Sequence, residues 1–494
     1  MNRRVHALFV PVQFPAGIAP GEGGDFNTLT VARNGQGQPV LRGTSLAGAL
    51  RHAWRKHLQL AGLEGEPLED EVKCVFGYAL GDDDGFGEPS RLQVSDCVLN
   101  TGAGDGRGTV MRTHHLRHRH RGSVADGGLF SLEACPPGTY ATIALWLQDD
   151  DQASDEATAF LEAIVHFLAA GMTLGGKSAR GVGMTRLAGD PVYRCYDLTD
   201  LKDHAAWLDD QFAWRADAAK IPAGRPMTVK TDATSELLEV NFTLAIPRGQ
   251  DVLIGDGQGL EHEIEPQRVR AADGRDYWRL PGASLRGLFR GWVTRLAARD
   301  GQHVADNVQR QQRVWRGELS TAEESVQRMS GDNLGWCFLP SEQRRQGRAK
   351  IGCPVAALFG TLFQAGRIHI ADALAPCGAD SDDGGRTEEQ LRKHVAVDRI
   401  TGGAAEGMLF DNTVLTACGD GRSPRFAVTM RVQQATEREA RWLADTLRAL
   451  DLGILRVGSS KSSGRLALSG PPRASGPGEH LFMEIRPVND PVMF

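Results

Sequence analysis

GMTLGGKSARG, residues 171–181, spells G-x-x-x-x-G-K-S through Gly171, Gly176, Lys177 and Ser178. A phosphate-cradling loop of that pattern follows a strand and opens a helix, whose N-terminal amides complete the anion site. Here the order is reversed. Upstream, DEATAFLEAIVHFLAAG carries Phe160, Leu161, Ile164, Val165, Phe167 and Leu168 at helical spacing. Downstream, GVGMTRLAG is short, ends in glycine and reads as a strand. A helix–loop–strand unit does not present Lys177 to a nucleotide, so no nucleotide cofactor is expected. The chain repeats the unit near its end. GILRVGSSKSSGRLAL, residues 453–468, follows the amphipathic stretch EREARWLADTLRAL, and Ser459 stands where the lysine would be. Only one of two matching glycine loops carries the motif, which marks the match as accidental.

The second loop belongs to a larger duplication. LRGTSLAGALR begins at Leu41 and LPGASLRGLFR at Leu280, so that Gly43, Ser45, Leu46, Gly48 and Arg51 align with Gly282, Ser284, Leu285, Gly287 and Arg290. VFG at Val75 matches LFG at Leu358, and RLQVSD at Arg91 matches RIHIAD at Arg367, with Asp96 opposite Asp372. HRHRGSVADGGLF at His118 matches DRITGGAAEGMLF at Asp398, and the glycine loops close each set. Blocks this long, in the same order twice, are one domain duplicated rather than a solenoid of short repeats. The boundaries read as 1–190 for the first domain, 191–234 for a polar connector and 235–494 for the second domain. The second domain carries an Arg- and Gln-rich insertion near 300–350.

Composition agrees with a two-domain protein. A chain of 494 residues with 41% hydrophobic and 24% charged residues is long for one core. No run of about 18 apolar residues suggests a membrane span. The N-terminal MNRRVHALFVPVQFPAG is interrupted by Pro11 and Pro15 and reads as a strand rather than a leader. Eight cysteines without a C-x-x-C pair suit reduced thiols and a cytoplasmic location. The net charge of −6 means that nucleic-acid binding would need local basic patches.

In each copy an alternating strand, HALFVPVQF or LLEVNFTLAI, leads through a Gly/Asp-rich loop to a helix, which a Ser or Thr at the G-T-S-L or G-A-S-L element is expected to cap. Further strands, a long irregular segment, a second helix and the glycine loop follow. That order predicts an α+β fold: two tandem split β-α-β sheets of the ferredoxin-like, RNA-recognition-like kind, with long loop and thumb insertions.

These blocks resemble the RAMP superfamily of CRISPR-associated proteins. Within it, CPVAALFG, GRIHIADA and DRITGGAAEGMLF resemble the backbone subunits of type III effectors, and two copies in one chain resemble fused double-backbone subunits. The resemblance implies a subunit that coats guide RNA, presents it to complementary target RNA and contacts other effector subunits, with a thumb in each copy inserted between guide and target.

The residues offer chemistry that fits. The glycine loops allow close approach to an RNA backbone, with Lys177, Arg180, Lys461 and Arg465 adding positive charge. Ser45 and Ser284 sit where a helix N-terminus could meet phosphate, with Arg51 and Arg290 one face along. RTHHLRHRHRG sets Arg112, Arg117 and Arg119 among histidines of the His114–His120 cluster, a phosphate-binding patch whose histidines could stack on bases or hold a metal. Arg399 is the match of Arg119 in the second copy. Solvated charge runs, an ordinary serine cap and simple tight turns are the structural alternatives at these positions.

Cleavage of single-stranded RNA needs a positioned acid, with a divalent metal such as Mg or Mn the expected helper. The resemblance places that acid in the loop after the first strand. In the first copy the position falls on or near Asn27, with Asp25 two residues away. In the second it falls at Pro266, just after Glu261, Glu263 and Glu265. Asp25, Glu261 and Glu263 are therefore the candidate acids. Two alternatives stay open: an endoribonuclease that trims precursor guide RNA with a histidine base, and an architectural RNA-binding subunit without catalysis.

Overall fold

The opening strand Arg4–Phe14 is buried on both faces. Its even-numbered apolar residues Leu8, Val10, Val12 and Phe14 enter one core, and Val5, Ala7 and Phe9 enter another on the opposite side, as the two-residue period of a strand requires. The structure, a computed structural model, describes residues 4–22, 28–78, 87–102, 108–117, 124–149, 154–176, 178–216, 221–227, 237–255, 263–302, 353–360, 365–377, 387–398, 400–418, 423–458 and 464–488.

In the first copy Arg4–Phe14 lies between Thr139–Asp149 and the short strand Arg186–Leu187, and Leu92–Val94 pairs beyond Thr139–Asp149, all antiparallel. The helices Gly43–Leu60 and Ser154–Ala169 connect them. The second copy repeats the scheme. Leu237–Ala245 lies between Arg425–Gln433 and Ala467–Leu468, Ile368–Ile370 is the outer strand, and the helices are Gly282–Arg299 and Glu437–Asp451. Both copies thus run strand–helix–strand–strand–helix–strand with the spatial order fourth, first, third, second, which is the ferredoxin-like arrangement expected from the sequence. The VFG and LFG blocks end the helices Gly65–Phe76 and Pro354–Phe359. Gly77 and Gly360 follow with φ of 66° and 76°, a left-handed turn that glycine adopts without strain.

A long antiparallel hairpin leaves each sheet. Val110–Arg117 pairs with Val124–Ala134, and Thr387–Val397 with Ala404–Ala417. The registers match: Arg112 faces Leu132 and His114 faces Phe130, while Arg392 faces Asn412 and His394 faces Phe410.

Part of the stretch read as a connector joins the first sheet. Val192–Asp197 pairs with the opening strand and Arg225–Pro226 pairs beyond it. The helix Leu201–Ala216 supplies Trp214, with Ala206 and Trp207 packed alongside, to the core behind that sheet. A connector that pairs with its own domain shows in the sequence only as the apolar alternation of PVYRCYD. Residues 303–350, most of the predicted insertion, lie outside the described residues.

Candidate nucleic-acid interface

The two repeat helices are not capped by their own serines or threonines. Their N-cap residues are Arg42 and Pro281, neither with a side-chain cap, and Ser45 and Ser284 are exposed in the first turn. The cap comes from far along the chain. Asp96 Oδ1 accepts the Gly43 amide at 2.7 Å, and Asp372 Oδ1 accepts the Gly282 amide at 2.8 Å. A carboxylate at a helix N-terminus satisfies an orphan amide and complements the helix dipole. The helix can come this close only because residues 43 and 282 are glycine: a Cβ there would collide with the carbonyls of Val94 and Ile370. The aligned glycines and aspartates of the sequence are therefore two halves of one device.

Each helix then presents a stripped outer face. Ser45 and Gly48 are exposed on the first helix, Ser284 and Gly287 on the second. A Cβ on Gly48, Gly287 or Gly291 would meet nothing within 4 Å. Glycine inside an exposed helix costs about 1 kcal/mol against alanine, and no packing within the described chain requires it.

The copies meet beside the second of these faces. The short helical turn Ser178–Arg180 of the first glycine loop packs near the helix Gly282–Arg299. The Asp372 amide donates to the Gly181 carbonyl at 3.0 Å, and a Cβ at Gly181 would strike the Asp372 carboxylate. Arg112, expected to bind RNA, is instead buried. Its Nη1 donates to Asp372 Oδ2 at 2.5 Å and its Nη2 to the Ala16 carbonyl at 3.0 Å. Arg279 faces the same oxygen at 3.4 Å. The first copy's arginine thus completes the second copy's cap, and its role is to join the copies rather than to touch RNA.

Beside this joint, Arg180 lies over the Phe130 ring at 4.7 Å, and the His114 ring stacks with Phe130 at a centroid distance of 5.4 Å. Arg286 donates to the Phe359 carbonyl and lies over the Phe359 ring at 5.9 Å. Burial, followed by the nearby charges of Arg290 and Arg180, pulls the Arg286 guanidinium down to about 10; burial alone lowers Arg180. Three guanidiniums are gathered here, and among the described residues no carboxylate is seen to pair with Arg180 or Arg286. Such a cluster favours an anion with several oxygens. Arg286 escaped the sequence reading, although Arg290, the other arginine of LPGASLRGLFR, was in view.

Burial first, then Arg180, Arg279 and Arg112, pull the His114 imidazole from 6.5 down to about 3, so it is neutral and inside rather than an exposed base. The unfolded chain binds the proton more readily between those two values, so stability falls as pH drops through that window. Wild type should lose up to about 1.4 kcal/mol per pH unit there from this group. His114→Phe should show a shallower acid limb in unfolding titrations from pH 6.5 downwards, and an unchanged limb would remove His114 from the account.

The remaining expected residues divide as follows. Arg51 and Arg290 are half-buried on their helices, and Arg465 is packed against Gly453. Arg117 ends a hairpin strand, and its side chain lies outside the described residues. Arg119, Lys177, Arg399 and Lys461 lie outside them too, as do Asp25 and Glu261. Glu263 stands in the short strand Glu263–Ile264, parallel to Asp411–Asn412 of the second hairpin, rather than in a free loop. Among the described residues no three His, Cys, Asp or Glu side chains converge as a metal site, and no helix is long and apolar enough to cross a membrane.

The family model of the RAMP superfamily matches residues 15–185 and 250–465. The chain therefore belongs to the RAMP superfamily, which it matches once in each copy. It is accordingly a CRISPR-associated protein of an RNA-binding class. No curated protein matches the chain.

Proposed function

We propose that the chain is a guide-RNA-binding backbone subunit of a type III CRISPR ribonucleoprotein, which presents its guide to complementary target RNA. The observation that carries this is the stripped helix face repeated in both copies. Ser45 with Gly48, and Ser284 with Gly287, leave helical backbone uncovered where nothing among the described residues needs it bare. An RNA backbone uses such a surface, because phosphate and sugar come close only where side chains are short. The arginine cluster of Arg180, Arg286 and Arg290 lies beside the second face and supplies the charge.

Gly48→Ala and Gly287→Ala separate this from a structural role. Each should stabilise the fold by up to about 1 kcal/mol, as glycine-to-alanine changes in exposed helices do. Together they should weaken guide-RNA binding. Tighter folding with undiminished RNA affinity would sink the assignment of this face.

Target cleavage is the second part of the proposal, with Asp25 as the acid of the first copy and Glu261, Glu263 and Glu265 as those of the second. A divalent ion would help stabilise the charge developed on the cleaved phosphate. Two copies along one guide should cut a complementary target at two positions. Asp25→Ala should erase one cut, and alanine at all three glutamates the other. If both variants bind RNA and every cut survives, cleavage belongs to another subunit.

A further inference from the structure

The joint between the copies has a donor side and an acceptor side, and the duplication gives the chain one more of each, facing outward. On the donor side of the joint the first copy offers Arg112 and the glycine loop, where a Cβ on Gly171 would strike the Arg431 guanidinium of the second copy. On the acceptor side the second copy offers Asp372 at the N-terminus of its repeat helix. The outward donor is the equivalent face of the second copy. Arg392 occupies the hairpin register of Arg112, is half exposed, and reaches Asp251 at 3.6 Å. Leu452 and Ile454 flank Gly453 as Ala170 and Met172 flank Gly171, and they stand 56% and 58% exposed. Two adjacent bare aliphatic side chains at the place where the first copy makes its joint are what a repeated interface leaves uncovered.

The outward acceptor, on the first copy, is different. Asp96 caps its helix as Asp372 does, but Arg42 already fills its free oxygen. Arg42 Nη1 donates to Asp96 Oδ2 at 3.2 Å, and its Nη2 donates to Glu22 at 3.0 Å and to the Arg33 carbonyl at 3.0 Å. The second copy has Pro281 at this place, which leaves Asp372 to Arg112. The backbones are nearly the same there: φ is −62° at Arg42 and −64° at Pro281.

We propose that the face of Arg392, Leu452 and Ile454 is a docking surface for a different subunit, one that presents an aspartate at a helix N-terminus with no arginine of its own before it. Arg42 closes the chain's own first-copy acceptor, so that the chain does not polymerise on itself. The inference rests on the internal joint and not on RNA binding.

Arg42→Pro tests it on the full chain after nuclease treatment, because proline keeps the φ that residue 42 already has and opens the acceptor in the form the second copy shows. Wild type should sediment as a monomer of 53.5 kDa, and Arg42→Pro should form species of twice that mass or more as concentration rises. Adding Arg392→Glu, or Leu452→Asp with Ile454→Asp, should return it to monomer. Arg42→Ala serves as a second opening variant should proline disturb folding. If both opened variants stay monomeric, or their oligomers ignore Arg392→Glu, the docking surface is refuted. If wild type already forms oligomers that Arg392→Glu disperses, the occupant is a second copy and the plug does not act.

Discussion

Arg112→Ala should destabilise the chain by about 3–5 kcal/mol, the range for removing one partner of a buried ion pair. Both side chains are withdrawn from water, at 2% and 0% exposure. Without Arg112, the Asp372 carboxylate keeps the Gly282 amide at 2.8 Å and a longer contact to Arg279 at 3.4 Å. The Ala16 carbonyl also loses its donor. A double cycle with Asp372→Asn should show strong coupling, because the neutral amide no longer demands a cation. Equilibrium unfolding that changes by less than about 1 kcal/mol, the scale of an exposed pair, would mean that the joint is not where the copies are held.

Replacing Arg180, Arg286 and Arg290 together by Gln should have the largest effect on RNA. Each phosphate contact on a single strand contributes about 0.7 to the slope of log affinity against log salt. Three lost contacts should flatten that slope by about 2 and lower affinity by roughly a hundredfold at low salt. The loss should be alike for guides of unrelated sequence, since phosphate contacts position without reading bases. Guide-dependent losses would show that these arginines read bases. An unchanged slope would show that they touch no phosphate.

The fold was legible because duplication gave every signal twice. A single G-T-S-L or glycine loop says little, but two in matching order fix the strand–helix succession of each copy, and the spatial strand order then follows the ferredoxin-like scheme. The capping was not legible. A serine in a first helical turn invites a local cap, whereas the acceptors used are aspartates 53 and 90 residues away. Asp96 and Asp372 had been aligned without a role, because sequence shows recurrence and not distance. Arg112 was misread for a related reason. In RTHHLRHRHRG it looks like the rest of a basic run, and strand alternation alone turns it inward, against a carboxylate 260 positions along the chain. Gly48 and Gly287 carried the opposite lesson. Recurrence flagged them, but only the open space around them shows that packing is not the reason.

The central claim is that this chain coats a guide RNA. It is tested most directly by purifying the full chain from cells that express a CRISPR array, digesting unprotected RNA and sequencing what remains. The account predicts short protected fragments with a common repeat-derived sequence and varied spacers, lost from the Arg180, Arg286 and Arg290 variant. Protein that carries no protected RNA, or only fragments unrelated to the array, would contradict it.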